Sequence, residues 1–91
     1  MNPLTAEDVL KIARLFRLQW EPAQNAHVLL YPEGMVKLNG SAGEILKRLD
    51  GQRNVEQVAQ DCEAAFGVHG LLADVLEFLH GARAQGWVCH V

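Results

Sequence analysis

The side chains with the most chemical potential in this chain of 91 residues are two cysteines and four histidines. Cys89-His90 near the C-terminus, with His80 and His69 upstream, supplies the donor types that zinc prefers. The spacing argues against a metal, because zinc sites announce themselves by tight pairs such as C-x-x-C and none occurs. Cys62 falls on an apolar helical stripe with Val55, Val58, Ala59 and Phe66, where a thiol behaves as a small hydrophobe rather than the exposed thiolate a nucleophile requires. Ser41 reads as a helix N-cap, and Gly40-Ser41-Ala42-Gly43 lacks the lysine and spacing of a phosphate-binding loop. Glu44, Asp61, Glu63, Asp74 and Glu77 fall on helix faces that the pattern leaves to solvent. The residues therefore predict no catalytic group, no metal and no cofactor.

The bulk composition narrows the partners. The chain is 49% hydrophobic and 21% charged, with a net charge of −3, which describes one small folded domain. A domain this short buries only about 60–65% of the surface its unfolded chain exposes, leaving room for one thin core and one binding surface. Nucleic-acid binders need a basic face to neutralise phosphates, whereas the eight Lys and Arg here are spread along the chain. No apolar run approaches the roughly 20 residues of a membrane span. The N-terminus also lacks the basic, apolar, small-residue order of a signal peptide. Two cysteines make no disulfide framework. The expected compartment is the cytoplasm.

The elements that position the side chains are legible from period and punctuation. Thr5-Ala6-Glu7-Asp8 resembles a capping box and predicts a short helix over residues 6–14. Arg17–Trp20 alternates polar and apolar like a half-buried strand, and Glu21–Asn25 is a turn by composition. His27–Tyr31, rich in β-branched and aromatic types, is a second strand. Pro32-Glu33-Gly34 is a tight turn, and Met35–Leu38 is a third strand. Such short loops predict an antiparallel meander. From Asn39 the period becomes helical: a first helix capped by Ser41 and closed by Gly51, a second from Asn54 to Gly67 with Gln57 completing a capping box, and a third over about Leu71–Gln85 ended by Gly86. Trp87–Val91 is an extended tail or a last strand. The order predicts an α+β domain, βββααα, like a small winged helix.

The third helix is unusual. At 100° per residue, Leu71, Leu72, Val75, Leu76, Phe78, Leu79 and Ala82 cover an arc of roughly 160°, against about 100° for the other two helices. It touches apolar partners on two sides: it is a central core helix, or one also packed on the N-terminal segment, or a helix whose second side floors a groove for a ligand. In a meander of order one-two-three, Met35, Val36, Lys37 and Leu38 form an edge strand with unpaired backbone groups. Lys37 and the short length can blunt that edge; left open, it is a template for strand addition by a peptide.

These residues carry a family resemblance. Arg17-Leu18-Gln19-Trp20, His27-Val28-Leu29-Leu30-Tyr31-Pro32-Glu33-Gly34 and Val36-Lys37-Leu38-Asn39, followed by Ser41-Ala42, Ile45-Leu46 and Asp50-Gly51, resemble the PqqD family in order and spacing. The likeness runs more loosely to Gly86-Trp87-Val88. It implies a non-catalytic peptide chaperone of pyrroloquinoline quinone (PQQ) biosynthesis, a recognition element for ribosomally made, modified peptides. Its partners would be the precursor peptide PqqA and the radical S-adenosylmethionine enzyme PqqE. The resemblance puts the peptide beside Met35, Val36, Lys37 and Leu38 and against Leu71, Leu72, Val75, Leu76, Phe78 and Leu79. It divides the chain into an N-terminal segment, 1–15, and a peptide-recognition domain, 16–91. The apolar residues of 1–15 either cover the core or meet another subunit, which leaves a homodimer open. The rival readings are a winged-helix DNA-binding domain and a non-catalytic assembly subunit. Against the first, the third helix presents Asp74 and Glu77 and only one Lys or Arg, Arg83, where phosphates would lie.

Overall fold

Three antiparallel strands organise the middle of the chain in the computed structural model, which describes residues 2–91. Strands β2 (Arg17–Glu21), β3 (Ala26–Tyr31) and β4 (Gly34–Lys37) pair in the order β2-β3-β4, as the alternation and turn residues predict. The elements α1 (Gly40–Lys47), α2 (Val55–Phe66) and α3 (Leu72–Ala84) follow, so the α+β class and the βββααα order are present. Three further short strands, β1 (Val9–Ile12), β5 (Asp50–Asn54) and β6 (Val88–His90), form a second antiparallel sheet in the order β5-β1-β6.

Strand β1 corrects the expected N-terminal helix. Asp8 Oδ2 does accept the Thr5 N–H at 2.8 Å, as the acid of a capping box would. The Asp8 N–H, however, returns to the Thr5 carbonyl at 3.2 Å. The motif closes a turn, and the chain leaves it extended. Val9-Leu10-Lys11-Ile12 then has the β-branched content of a strand, with Leu10 1% exposed in the core. Leu10 lies opposite His90 and Ile12 opposite Val88, so the two ends of the chain are joined in one sheet. Leu4 is buried as well, so the N-terminal segment does cover the core.

The helix starts show how much the caps settle. Asn39, not Ser41, caps α1: its Oδ1 accepts the Ala42 N–H at 2.7 Å. The Ser41 hydroxyl donates to the same oxygen at 3.0 Å, supporting the cap instead of making it. At α2 the expected capping box is complete, with Asn54 and Gln57 exchanging side-chain and backbone bonds. The two remaining early N–H groups, of Val55 and Glu56, donate to the carbonyls of Asp8 and Ala6 at 2.9 and 3.0 Å. These orphan donors of the helix end thereby bind α2 to the lead-in of β1. Gly67 closes α2 with φ +70, in the left-handed region that favours glycine. Gly51 does not close α1, which ends at Lys47; it lies within β5.

The core is one cluster in which Leu29, Leu46, Val58, Cys62 and Leu79 are at most 1% exposed. Burial pushes the Cys62 thiol above its ordinary value, so it stays protonated and inert. Both cysteines are free.

Two outcomes follow from this packing. Leu10→Ala lowers stability by about 2–5 kcal/mol, the range for truncating a buried leucine, read from urea unfolding; a loss below about 1 kcal/mol would mean that β1 is not built into the core. In the folded protein iodoacetamide modifies the half-buried Cys89 first, and Cys62 reacts only as the chain unfolds in urea. Equal rates in the absence of urea would contradict the burial of Cys62.

Candidate functional site

Strand β4 ends its sheet, since it pairs with β3 on one side and with no strand on the other. Its register sets Val28 opposite Lys37, Leu29 opposite Val36 and Leu30 opposite Met35. The next residue, Leu38, donates its N–H to the His27 carbonyl at 3.0 Å. Hydrogen-bonded and open pairs alternate along an antiparallel ladder, so Val36 and Leu38 bond inward to β3. Met35 and Lys37 therefore turn their N–H and C=O groups away from it, along the free edge. Their side chains are exposed, Met35 to 46%, while Val36 is half-buried against the core and Leu38 is buried. The N–H and C=O groups of two residues thus lie along the free edge, where an added strand could pair with them.

Helix α3 divides the residues of its apolar arc into three groups. Val75, Leu79 and Ala82 are buried in the core. Leu72 and Leu76 lie on the stripe that continues through His80 and Arg83 at helical spacing. That flank holds the N-terminal segment: the Leu4 N–H donates to His80 Nε2 at 3.2 Å and Arg83 donates to the Asn2 carbonyl at 2.6 Å. Leu71 and Phe78 lie on the opposite flank, with Asp74, Gly81 and Gln85. The wide arc thus has two causes, a covered flank and an open one.

The open flank borders two clefts. One, of about 370 Å³, runs from Asn39 and Ser41, just beyond β4, past Phe66 of α2 to Leu71, Asp74 and Phe78. The other, of about 510 Å³, continues along α3 from Asp74 and Phe78 to Gly81, Gln85 and Trp87. Asp74 and Phe78 border both, so the clefts meet there. Of the expected helix residues, Leu71, Val75 and Phe78 line this path, and Leu72, Leu76 and Leu79 do not. Glu63 of α2 fixes the start of the path, its carboxylate accepting the Leu71 N–H at 2.9 Å.

Sequence reasoning missed Trp87, Gln85, Glu77 and Phe66 as lining residues. Gln85 and Gly81 were recoverable from their three- and four-residue spacing with Phe78. Trp87 was not, because its place depends on a distant strand: the Ala13 N–H donates to the Trp87 carbonyl at 2.8 Å and the Trp87 N–H to the Ala82 carbonyl at 2.9 Å.

The residues weighed for chemistry are scattered. Among the described residues, no three of His, Cys, Asp and Glu gather as a metal site would require. His80 is engaged by Leu4, His90 lies 3.7 Å from Asp8, and His69 is exposed. The Thr5 N–H, and secondarily His90, hold the Asp8 carboxyl below its ordinary value. Arg48 does the same for Glu44; both are interactions of structure. No helix among the described residues is long and apolar enough to cross a membrane.

Known proteins are similar to this chain in sequence and in fold. The profile of the family described as coenzyme PQQ synthesis protein D (PqqD) matches residues 26–88. A protein of Pseudomonas aeruginosa called PqqA binding protein is 53% identical over 89 residues, 97% of each chain. Its namesake in Azotobacter vinelandii is 49% identical over the same share. The solution structure of the PqqD part of Methylobacterium extorquens PqqCD, described as a functional and stand-alone recognition element for ribosomally synthesized and post-translationally modified peptides, superimposes with a TM-score of 0.81 at 31% identity, over 98% of this chain and 99% of that one. With its meander, its three helices and most of its length matched in this way, the chain belongs to the PqqD family.

Proposed function

We propose that this chain binds the precursor peptide PqqA as an added strand along β4 and presents it to PqqE for modification in PQQ biosynthesis, without catalysing a step itself. One observation carries the reading: Met35 and Lys37 turn unpaired peptide groups outward from an edge strand whose end opens into the cleft along α3. Strand addition draws affinity from main-chain hydrogen bonds and selectivity from pockets for side chains, and both are at hand. The names of the relatives, PqqA binding proteins at about half identity, point the same way.

The helix contribution comes from Leu71, Phe78 and the exposed margin of Val75, while Leu72, Leu76 and Leu79 serve the core and the N-terminal segment. The peptide-recognition unit of residues 16–91 works together with the strand contributed by residues 9–12. A disordered precursor that becomes a strand loses conformational freedom when it binds, so it reaches the enzyme already ordered. The two unbridged cysteines suit a reducing compartment, and the cytoplasm is the proposed place of action.

The register supplies the test. A proline at Lys37 removes an outward N–H and leaves the ladder to β3 intact, and edge strands tolerate proline in that orientation. Lys37→Pro keeps the wild-type fold by amide NMR and weakens binding of synthetic PqqA, read by calorimetry, about tenfold, the effect of one lost hydrogen bond plus hindrance. Lys37→Ala, which keeps the N–H, separates the side chain from the backbone and stays within about threefold of wild type. A folded Lys37→Pro protein with wild-type affinity would refute strand addition.

A further inference from the structure

The larger cleft has a composition that the fold does not require. Its walls include Phe78, Ala82 and Trp87, and Asp74 and Glu77 stand exposed at its edge. Neither carboxylate has a Lys, Arg or His nitrogen within 4.0 Å among the described residues, a state they share with Glu7, Glu21, Glu33, Glu56 and Glu63, so both are free to meet an incoming charge. Arg83, the cation of the same helix, is on the other flank, bonded to the Asn2 carbonyl. Asp74 in the first turn complements the helix dipole, but Glu77 lies a turn later, where that explanation lapses. At Gly81 an added Cβ would meet nothing within 4 Å, so the cleft is open between the acids and the tryptophan.

An occupant must match both halves of this surface. A long aliphatic stem lies well on apolar walls while its charged head stays at the wet edge. Aromatic faces such as those of Phe78 and Trp87 attract cations and not anions. Two unpaired carboxylates at the rim reinforce that sign, and a peptide carboxylate in the same place would be repelled. The net charge of −3 favours basic partners throughout.

We propose that the cleft between α3 and Trp87 is a specificity pocket for one Lys or Arg side chain of the bound peptide, with Asp74 and Glu77 receiving its charge. The proposal rests on the peptide-binding reading and adds the kind of side chain that is selected. The strand along β4 supplies affinity that is blind to sequence, and the acidic pocket sets the register in which the peptide lies.

The test uses the full chain, the variants Glu77→Gln and Asp74→Asn/Glu77→Gln, and synthetic PqqA in which each Lys and Arg is replaced singly by Gln. At about 50 mM salt the double variant binds unaltered peptide about threefold to tenfold more weakly than wild type, and the gap narrows at about 500 mM. One Gln-substituted peptide reproduces that loss on the wild-type protein and loses nothing further on the double variant, the mark of two groups acting on each other. Amide spectra confirm that both variants keep the fold. Variants that bind within twofold of wild type would overturn the pocket, as would Gln peptides whose losses are equal on wild type and double variant. Failure of the wild-type protein to bind unaltered peptide would instead overturn the peptide-binding reading, and the pocket with it.

Discussion

The pairing of β1 with β6 is the constraint on which the rest of the molecule depends. It sets Leu10 opposite His90 and Ile12 opposite Val88, residues from the two ends of the chain. The same strand offers its other edge to β5, and its lead-in satisfies two N–H groups at the start of α2. Contacts so distant in sequence form only after much of the chain has been ordered. The second sheet is thus a clasp closed over a meander and helices that local signals already specify. Without it Trp87 would have no fixed position, and the cleft along α3 would lack its far wall.

Helix α3 divides its apolar surface between the core and two flanks. Its centre, Val75, Leu79 and Ala82, belongs to the core. One flank is covered by the N-terminal segment through His80 and Arg83, and the other faces open clefts. A thin core leaves a small domain little freedom, and a helix apolar on two sides would ordinarily be a liability in water. The N-terminal segment covers part of one flank, and the other borders clefts that reach Asn39 and Ser41 just beyond β4. The strand edge and the helix face are the two surfaces on which the proposed peptide binding rests.

What the sequence made legible follows from which forces act locally. The meander is readable because alternation and turn residues act over a few positions, and the Asn54–Gln57 box because a cap is a contact across three residues. Strand β1 is not, since Thr5 and Asp8 make the same side-chain bond in a turn as in a cap, and only the distant partner β6 decides between them. Strand β5, Asp-Gly-Gln-Arg-Asn, has the composition of a turn and is a strand because β1 needs a partner. The choice of Asn39 over Ser41 as cap lay between two good capping residues two positions apart. For the site, the edge strand and the wide apolar arc of α3 were visible, whereas the division of that arc into a covered and an open flank required the path of residues 2–4.

The chain belongs to the PqqD family, and the free edge of β4 with the open flank of α3 is the surface proposed to take an extended peptide. The most direct measurement is an amide NMR titration of the labelled protein with synthetic PqqA. The account predicts saturable shifts at Met35 and Lys37 and along the Leu71, Asp74, Phe78 and Gln85 flank, with the Leu72, Leu76 and His80 flank little changed. Saturable binding with its shifts centred on residues 2–13, or no shifts at high peptide concentration, would contradict it.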